Sequence, residues 1–188
     1  LDTAMKVTHF GPGGRKDLPM SKGLHEAFKS NMFLKDLCEV GDSAMGTQGD
    51  GNHFLFVGSM KSTNSPAIVS HHGSRNVGAQ LYKKGMAVAQ RQTKLLCPDA
   101  PSHNAWIDAN SKEGIAYWEA LQIVRAWTME NHSIIHQSIL DEIGTFKSFQ
   151  VFNEHNFVFK KDGLFYHAKG ATPSYDGGPR YTLIPMNM

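Results

Sequence analysis

Three histidines of this sequence stand in unusual company: His53 in GDGNHF, His71 in VSHHGSR and His155 in NEHNF. Neutral imidazole is a good ligand for divalent transition metals, and ligands at the ends of separate strands can converge on one point. Each segment also carries a neighbour suited to phosphate: Asn52 before His53, Ser74 and Arg75 after His71, and Asn156 after His155. An arginine fork binds phosphate oxygens in pairs, and glycine-flanked loops let backbone N–H groups approach an anion. An apolar run that stops at imidazoles and a guanidinium, as AIVSHHGSR does, points to metal or phosphate chemistry rather than to a plain turn.

The chain has ten histidines, so position must separate them. His9, His25, His103, His132 and His136 read as surface or hydrogen-bonded core residues. His132 and His136 are four apart in a helical pattern, but no glutamate follows His132 as the H-E-x-x-H motif requires. The loop GTQGDG lacks the following lysine of a Walker loop. His71 and His72 are adjacent, and strand alternation sends neighbours to opposite faces, so only one of them can aim into a site.

The elements that must position these groups follow from periodicity. LHEAFKSNMFLKDLCEV (24–40) predicts one or two short helices. FGPGGR (10–15) and GTQGDG (46–51) read as loops, HFLFVGS (53–59) and AIVS (67–70) as short strands. VGAQLYKKGMAVAQRQTKLL predicts a helix ending before Pro98. The longest periodic segment runs from Ser111, an N-cap, to Gly144, a stop signal. Aromatic and β-branched runs around Lys161-Asp162-Gly163 predict a closing hairpin. Helices and strands alternate irregularly, so the expected class is α+β, as one partial domain over 1–188.

Composition is that of an ordinary globular chain of 188 residues, 40% hydrophobic and 19% charged, with a formal charge of +2. So small a charge gives no broad basic face, and a phosphate partner must be held by local groups. Cys38 and Cys97 form no CxxC pair, which argues against a zinc ribbon. No apolar run approaches the roughly 20 residues of a membrane span, and a cytoplasmic protein is the expectation.

Taken in order, GTQGDGNHF, SHHGSRNVG, EHNF and HAKGA resemble successive motifs of the RtcB-type RNA ligases, over about Phe10 to Met188. The resemblance implies an RtcB-like α+β fold with a mixed β-sheet and flanking helices. It implies joining of RNA 3′-phosphate or 2′,3′-cyclic phosphate ends to 5′-hydroxyl ends, with GTP and Mn2+ as cofactors. On it, His71 and His155 resemble ligands of one manganese and His53 a ligand of the second. His71 is favoured over His72 because the family motif places one residue between histidine and glycine. Asn52 and Asn156 match asparagines near the guanylate and its phosphate, with Ser74 beside them. Arg75 matches an arginine of the phosphate chemistry, and Lys169 lies in the basic KGA motif, where Ala168 replaces the usual arginine.

The chain also departs from the family. An Asp-x-Gly-Cys-Gly motif should precede FGPGGR, and the guanylated histidine should follow LIPMNM; neither is in this sequence. The chain begins at Leu1, and the expectation is a central section, truncated at both ends and inactive alone. Phe56 stands where the family usually has a glutamate that reads guanine, and a phenyl ring accepts no hydrogen bonds. Asp50 is the nearest carboxylate to His53. Two other readings remain: a metal-dependent RNA phosphoesterase using the same histidines, and a non-catalytic nucleic-acid- or protein-binding module.

Overall fold

The computed structural model describes residues 2–172 and 181–183. The chain divides into two compact units, Leu1–Thr145 and Phe146–Met188.

The first unit is built on two long helices, α4 (Arg75–Leu96) and α5 (Lys112–Glu142). Both follow from their apolar spacing. Val77, Leu81, Gly85, Ala89 and Thr93 recur every fourth residue along α4 and are buried. On α5 the buried stripe runs through Ala120, Val124, Trp127, Asn131, Ile135 and Ile139, steps of three and four that keep one face inward. Ser111 caps α5, its hydroxyl accepting from Gly114 N at 3.0 Å, as the sequence predicts. Pro98 follows directly on the C-cap of α4, Cys97.

Shorter elements pack on this pair: α1 (Asp2–Val7), β1 (His9–Phe10), α2 (Lys22–Ser30) and α3 (Cys38–Ala44), with a 3-10 turn at Lys35–Leu37. The segment 24–40 is thus two helices and a turn. The main core gathers Phe28, Leu34, Met45, Val77, Leu81 and Trp127. Each such side chain contributes about 1.5–3 kcal/mol by leaving water. The Trp127 ring keeps its N–H satisfied on Gly41 O at 3.3 Å.

Strands arrive in pairs. β1 lies parallel to β2 (Thr47–Gly49), with His9 opposite Thr47 and Phe10 opposite Gly49. β3 (Phe54–Ser59) is antiparallel to β4 (Pro66–His71), from Phe54 opposite His71 to Ser59 opposite Pro66. A second cluster of Ala4, Ile135 and Ile139 packs against Leu55 and Ile68, and so seats this hairpin on α1 and α5.

The second unit holds β5 (Asn156–Lys161) and β6 (Leu164–Lys169), antiparallel and joined at Asp162-Gly163. Phe159 stacks on Tyr166 across the ladder at 5.5 Å, and Lys160 lies 5.2 Å over the Phe165 ring. The α+β class stands. The single mixed sheet does not: the described strands form three separate two-stranded ladders, one parallel and two antiparallel. The reason is that the long helices, not a sheet, carry the core. Among the described residues no helix is long and apolar enough to cross a membrane.

Candidate metal and phosphate site

In the first unit the loops carrying GTQGDGNHF and HHGSR meet. The segment Thr47–Gly49, read from sequence as loop, is a fully buried strand, because β1 supplies its ladder partner. From it the chain turns through Asp50–Asn52 to His53. The His53 ring donates from Nδ1 to Gln48 O at 2.8 Å. A carbonyl can only accept, so Nδ1 carries the proton and Nε2 keeps its lone pair. That is the tautomer a metal requires at Nε2. Gly73 N–H points at the same Nε2 from 3.4 Å.

The His71 ring lies 6.1 Å from that of His53, and the His72 ring 6.5 Å from it. The alternation rule fails to separate them because β4 ends at His71 and the chain leaves strand geometry at His72. His72 is 5% exposed and stacks on His132 at 3.5 Å. Burial, then the neighbouring His132, pushes the His72 pKa down to about 2. His132 itself falls to about 4, through burial and then His136. The Ser70 hydroxyl bridges the pair, 2.6 Å from His132 Nδ1 and 2.8 Å from His136 Nε2. Both are thus half-buried and hydrogen-bonded. Their place directly under the HHGSR loop was not visible in the sequence, since more than sixty residues intervene.

Arg75 opens α4 with φ +50°, a left-handed backbone that costs a non-glycine residue about 1–3 kcal/mol. Its guanidinium donates from Nε to Thr47 Oγ1 at 3.0 Å and from Nη2 to Gly13 O at 3.3 Å. The Nη1 group fills the space over Gly49: a Cβ there would lie 1.8 Å from it and 2.8 Å from His53 Nδ1. The two candidate side chains therefore border one point, where the missing side chain of Gly49 makes room for the guanidinium. Burial lowers the Arg75 pKa, opposed by the charge of Asp50. Among the described residues its hydrogen-bond acceptors are neutral and no salt bridge includes it. A half-buried cation without a paired anion suits an incoming phosphate. Ser74, the N-cap of α4, makes no side-chain capping bond, and the first turn holds no acidic residue. The 22-residue helix therefore also presents its positive end here.

In the second unit three more candidates come together. Asn156, at φ +128°, stands opposite Lys169 in the ladder. Its Nδ2 donates to His155 Nδ1 at 3.0 Å, and its Oδ1 accepts from Gly170 N. Asn52 is exposed in the turn before His53.

The donor set meets the needs of manganese only in part. His53 offers Nε2 in the right tautomer, with Gly73 N–H facing it, and the His53–His71 spacing fits two imidazoles drawn to one or two ions. Among the described residues no group of three or more His, Cys, Asp or Glu is gathered around one point. The fit is that of two neutral nitrogen ligands awaiting others.

A family model described as tRNA-splicing ligase RtcB matches residues 8–188. The chain is 27% identical over 208 residues to a tRNA-splicing ligase RtcB of Archaeoglobus fulgidus, covering 93% of this chain and 43% of that protein. It is 22% identical over 167 residues to a tRNA-splicing ligase RtcB of Nanoarchaeum equitans, covering 73% of this chain and 35% of the relative. The chain thus spans less than half the length of the curated relatives it matches.

Proposed function

The chain belongs to the tRNA-splicing ligase RtcB family, and from that premise we propose that it carries the metal- and phosphate-holding part of an RNA-joining site. The reaction is the sealing of an RNA 3′-phosphate or 2′,3′-cyclic phosphate end to a 5′-hydroxyl end, with GTP. His53, His71 and His155 would hold Mn2+, a Lewis acid that polarises phosphoryl oxygens.

The observation that carries this reading is the shared space at Gly49. There a guanidinium with only neutral partners and an imidazole of ligand tautomer stand side by side. Arg75 would take two phosphate oxygens at once and fix the orientation of the RNA end. Ser74 and the first N–H groups of α4 would bind a further oxygen. Gln48 O holds His53 in its tautomer, which would keep the Nε2 lone pair directed at a metal. Asn52, Asn156 and Lys169 would contact the nucleotide phosphates. Among the described residues the candidate metal donors gathered here are imidazoles, so we expect manganese to bind weakly, one ion at most.

Titration with inorganic phosphate tests the central claim. Arg75→Lys keeps the charge but loses the fork, and should weaken phosphate binding about tenfold, roughly 1.4 kcal/mol. An unchanged affinity removes Arg75 from the site. Manganese titration followed by paramagnetic resonance tests the metal: two tightly held ions per chain would contradict the account of the charge.

A further inference from the structure

Asn131 is the anomaly of α5. It lies in the apolar stripe between Trp127 and Ile135, and all three are 0% exposed. A buried amide in such a stripe is costly unless each of its polar atoms is bonded. Here it is: Oδ1 accepts from Gly46 N at 2.6 Å, and Nδ2 donates to Thr47 O at 3.1 Å. Both partners belong to the entry of the loop that carries His53.

Nδ2 also lies 3.5 Å from His72 Nδ1, while the bonds to the loop lead on toward Arg75. Thr47, also fully buried, donates its hydroxyl hydrogen to Ala44 O at 2.6 Å. With its single proton committed there, Thr47 Oγ1 has only lone pairs left, and one of them takes Arg75 Nε–H at 3.0 Å. Arg75 needs such a hold. Its backbone sits at φ +50°, and a long arginine side chain without a fixed Nε samples many rotamers. Once Nε is fixed, the planar guanidinium can only present its two outer nitrogens toward Gly13 and the space over Gly49.

We propose that Asn131, acting through Thr47, is a positioning residue for Arg75: the amide fixes the Thr47 backbone, and the Thr47 hydroxyl aims the guanidinium fork. The consequence for phosphate binding rests on the anion role proposed for Arg75; the positioning itself does not.

A merely structural amide predicts something different. It would stabilise α5 against the loop and leave the guanidinium indifferent to its loss. The full 188-residue chain, labelled with 15N, separates the two. The Arg75 Nε–H resonance is identified by its disappearance in Arg75→Lys, and its exchange with water is measured. Thr47→Val removes the acceptor while keeping the volume and the carbonyl that Asn131 binds; Thr47→Ser restores the hydroxyl. We expect Thr47→Val and Asn131→Ala to speed Nε–H exchange at least about tenfold, the loss of one good hydrogen bond, and Thr47→Ser to return it to the wild-type rate. Inorganic phosphate should bind about tenfold more weakly to the first two variants, and that difference should vanish in an Arg75→Lys background.

Unchanged Nε–H exchange in Thr47→Val overturns the proposal, as does a phosphate effect that persists without Arg75. If Asn131→Ala fails to fold, the Thr47 pair still decides. If the wild-type chain binds no phosphate, the reading of Arg75 as an anion ligand fails, and the exchange rates judge the positioning by themselves.

Discussion

Two hairpins of equal length present candidate residues at their open ends, and they are held in opposite ways. In β3–β4, His71 pairs with Phe54, next to His53; in β5–β6, Lys169 pairs with Asn156, next to His155. The second closes through two residues, Asp162 and Gly163, at φ +51° and +79°. Two successive left-handed residues are what the favoured two-residue hairpin turn requires. The first has no such turn. Its strands are joined through the longer segment 60–65, and it is steadied from outside, by Ile135 and Ile139 on Leu55 and Ile68 and by two histidines on Ser70. One hairpin is specified by its own turn, the other by a helix some sixty residues away. Similar ladders therefore respond to different insults.

The largest expected effect is on the helix-held side. His72 and His132 are neutral in the fold, with pKa values of about 2 and about 4 against an ordinary 6.5. Unfolding exposes both, so the unfolded chain binds more protons below pH 6.5. Their contribution to stability is complete above pH 6.5, and is lost as pH falls toward 4 for His132 and further for His72. At about 1.4 kcal/mol per pKa unit, His132 alone accounts for about 3 kcal/mol. Trp106, Trp118 and Trp127 all lie in the first unit, so tryptophan emission during urea unfolding reports on that unit. Stability should fall by several kcal/mol between pH 7.5 and pH 4.5, and His132→Gln should flatten the slope. An equal loss in the variant would detach the histidine cluster from the hairpin it supports.

A matched pair of substitutions gives the next effect. Gly49 and Gly163 have nearly the same φ, +85° and +79°, but a Cβ at Gly49 would collide with Arg75 and His53 while one at Gly163 meets nothing within 4 Å. Gly163→Ala should cost the backbone strain alone, about 1 kcal/mol, and Gly49→Ala about 3 kcal/mol or more with weaker phosphate binding. The denaturant midpoint of the first unit and hydrogen exchange in β5–β6 read the two. Equal costs would mean that Arg75 yields freely, and that the helix-held site is no tighter than an exposed turn.

What the sequence disclosed divides along the same line. The Lys161-Asp162-Gly163 turn, the Ser111 cap and the end of α4 before Pro98 are local patterns, and each falls where its pattern predicts. Thr47–Gly49 was misread because a glycine-rich run looks like a loop until a remote strand pairs with it. Asn131 carries no such pattern, and the contact of His132 with the β4 hairpin is hidden for a related reason. A polar residue in a helical stripe reads as a flaw in the pattern, and its partners at Gly46, Thr47 and Ser70 are 62 to 85 residues distant. The supports of the candidate site, unlike its candidate ligands, carry no short motif.

The smallest effect sharpens the local half of the comparison. Asp162 takes the first left-handed position of its turn, a place where asparagine followed by glycine is strongly preferred. Asn and Asp share a shape, but the neutral amide removes a charge from beside the turn backbone and tolerates the left-handed region well. Asp162→Asn should therefore stabilise β5–β6 by a few tenths of a kcal/mol, seen as roughly twofold slower exchange of the amides from Asn156 to Lys169. The gain is small because only the turn changes; the cross-strand stack of Phe159 on Tyr166 is untouched. Faster exchange would show that this turn does not set the register, and that β5–β6, like its counterpart, depends on contacts from elsewhere in the fold.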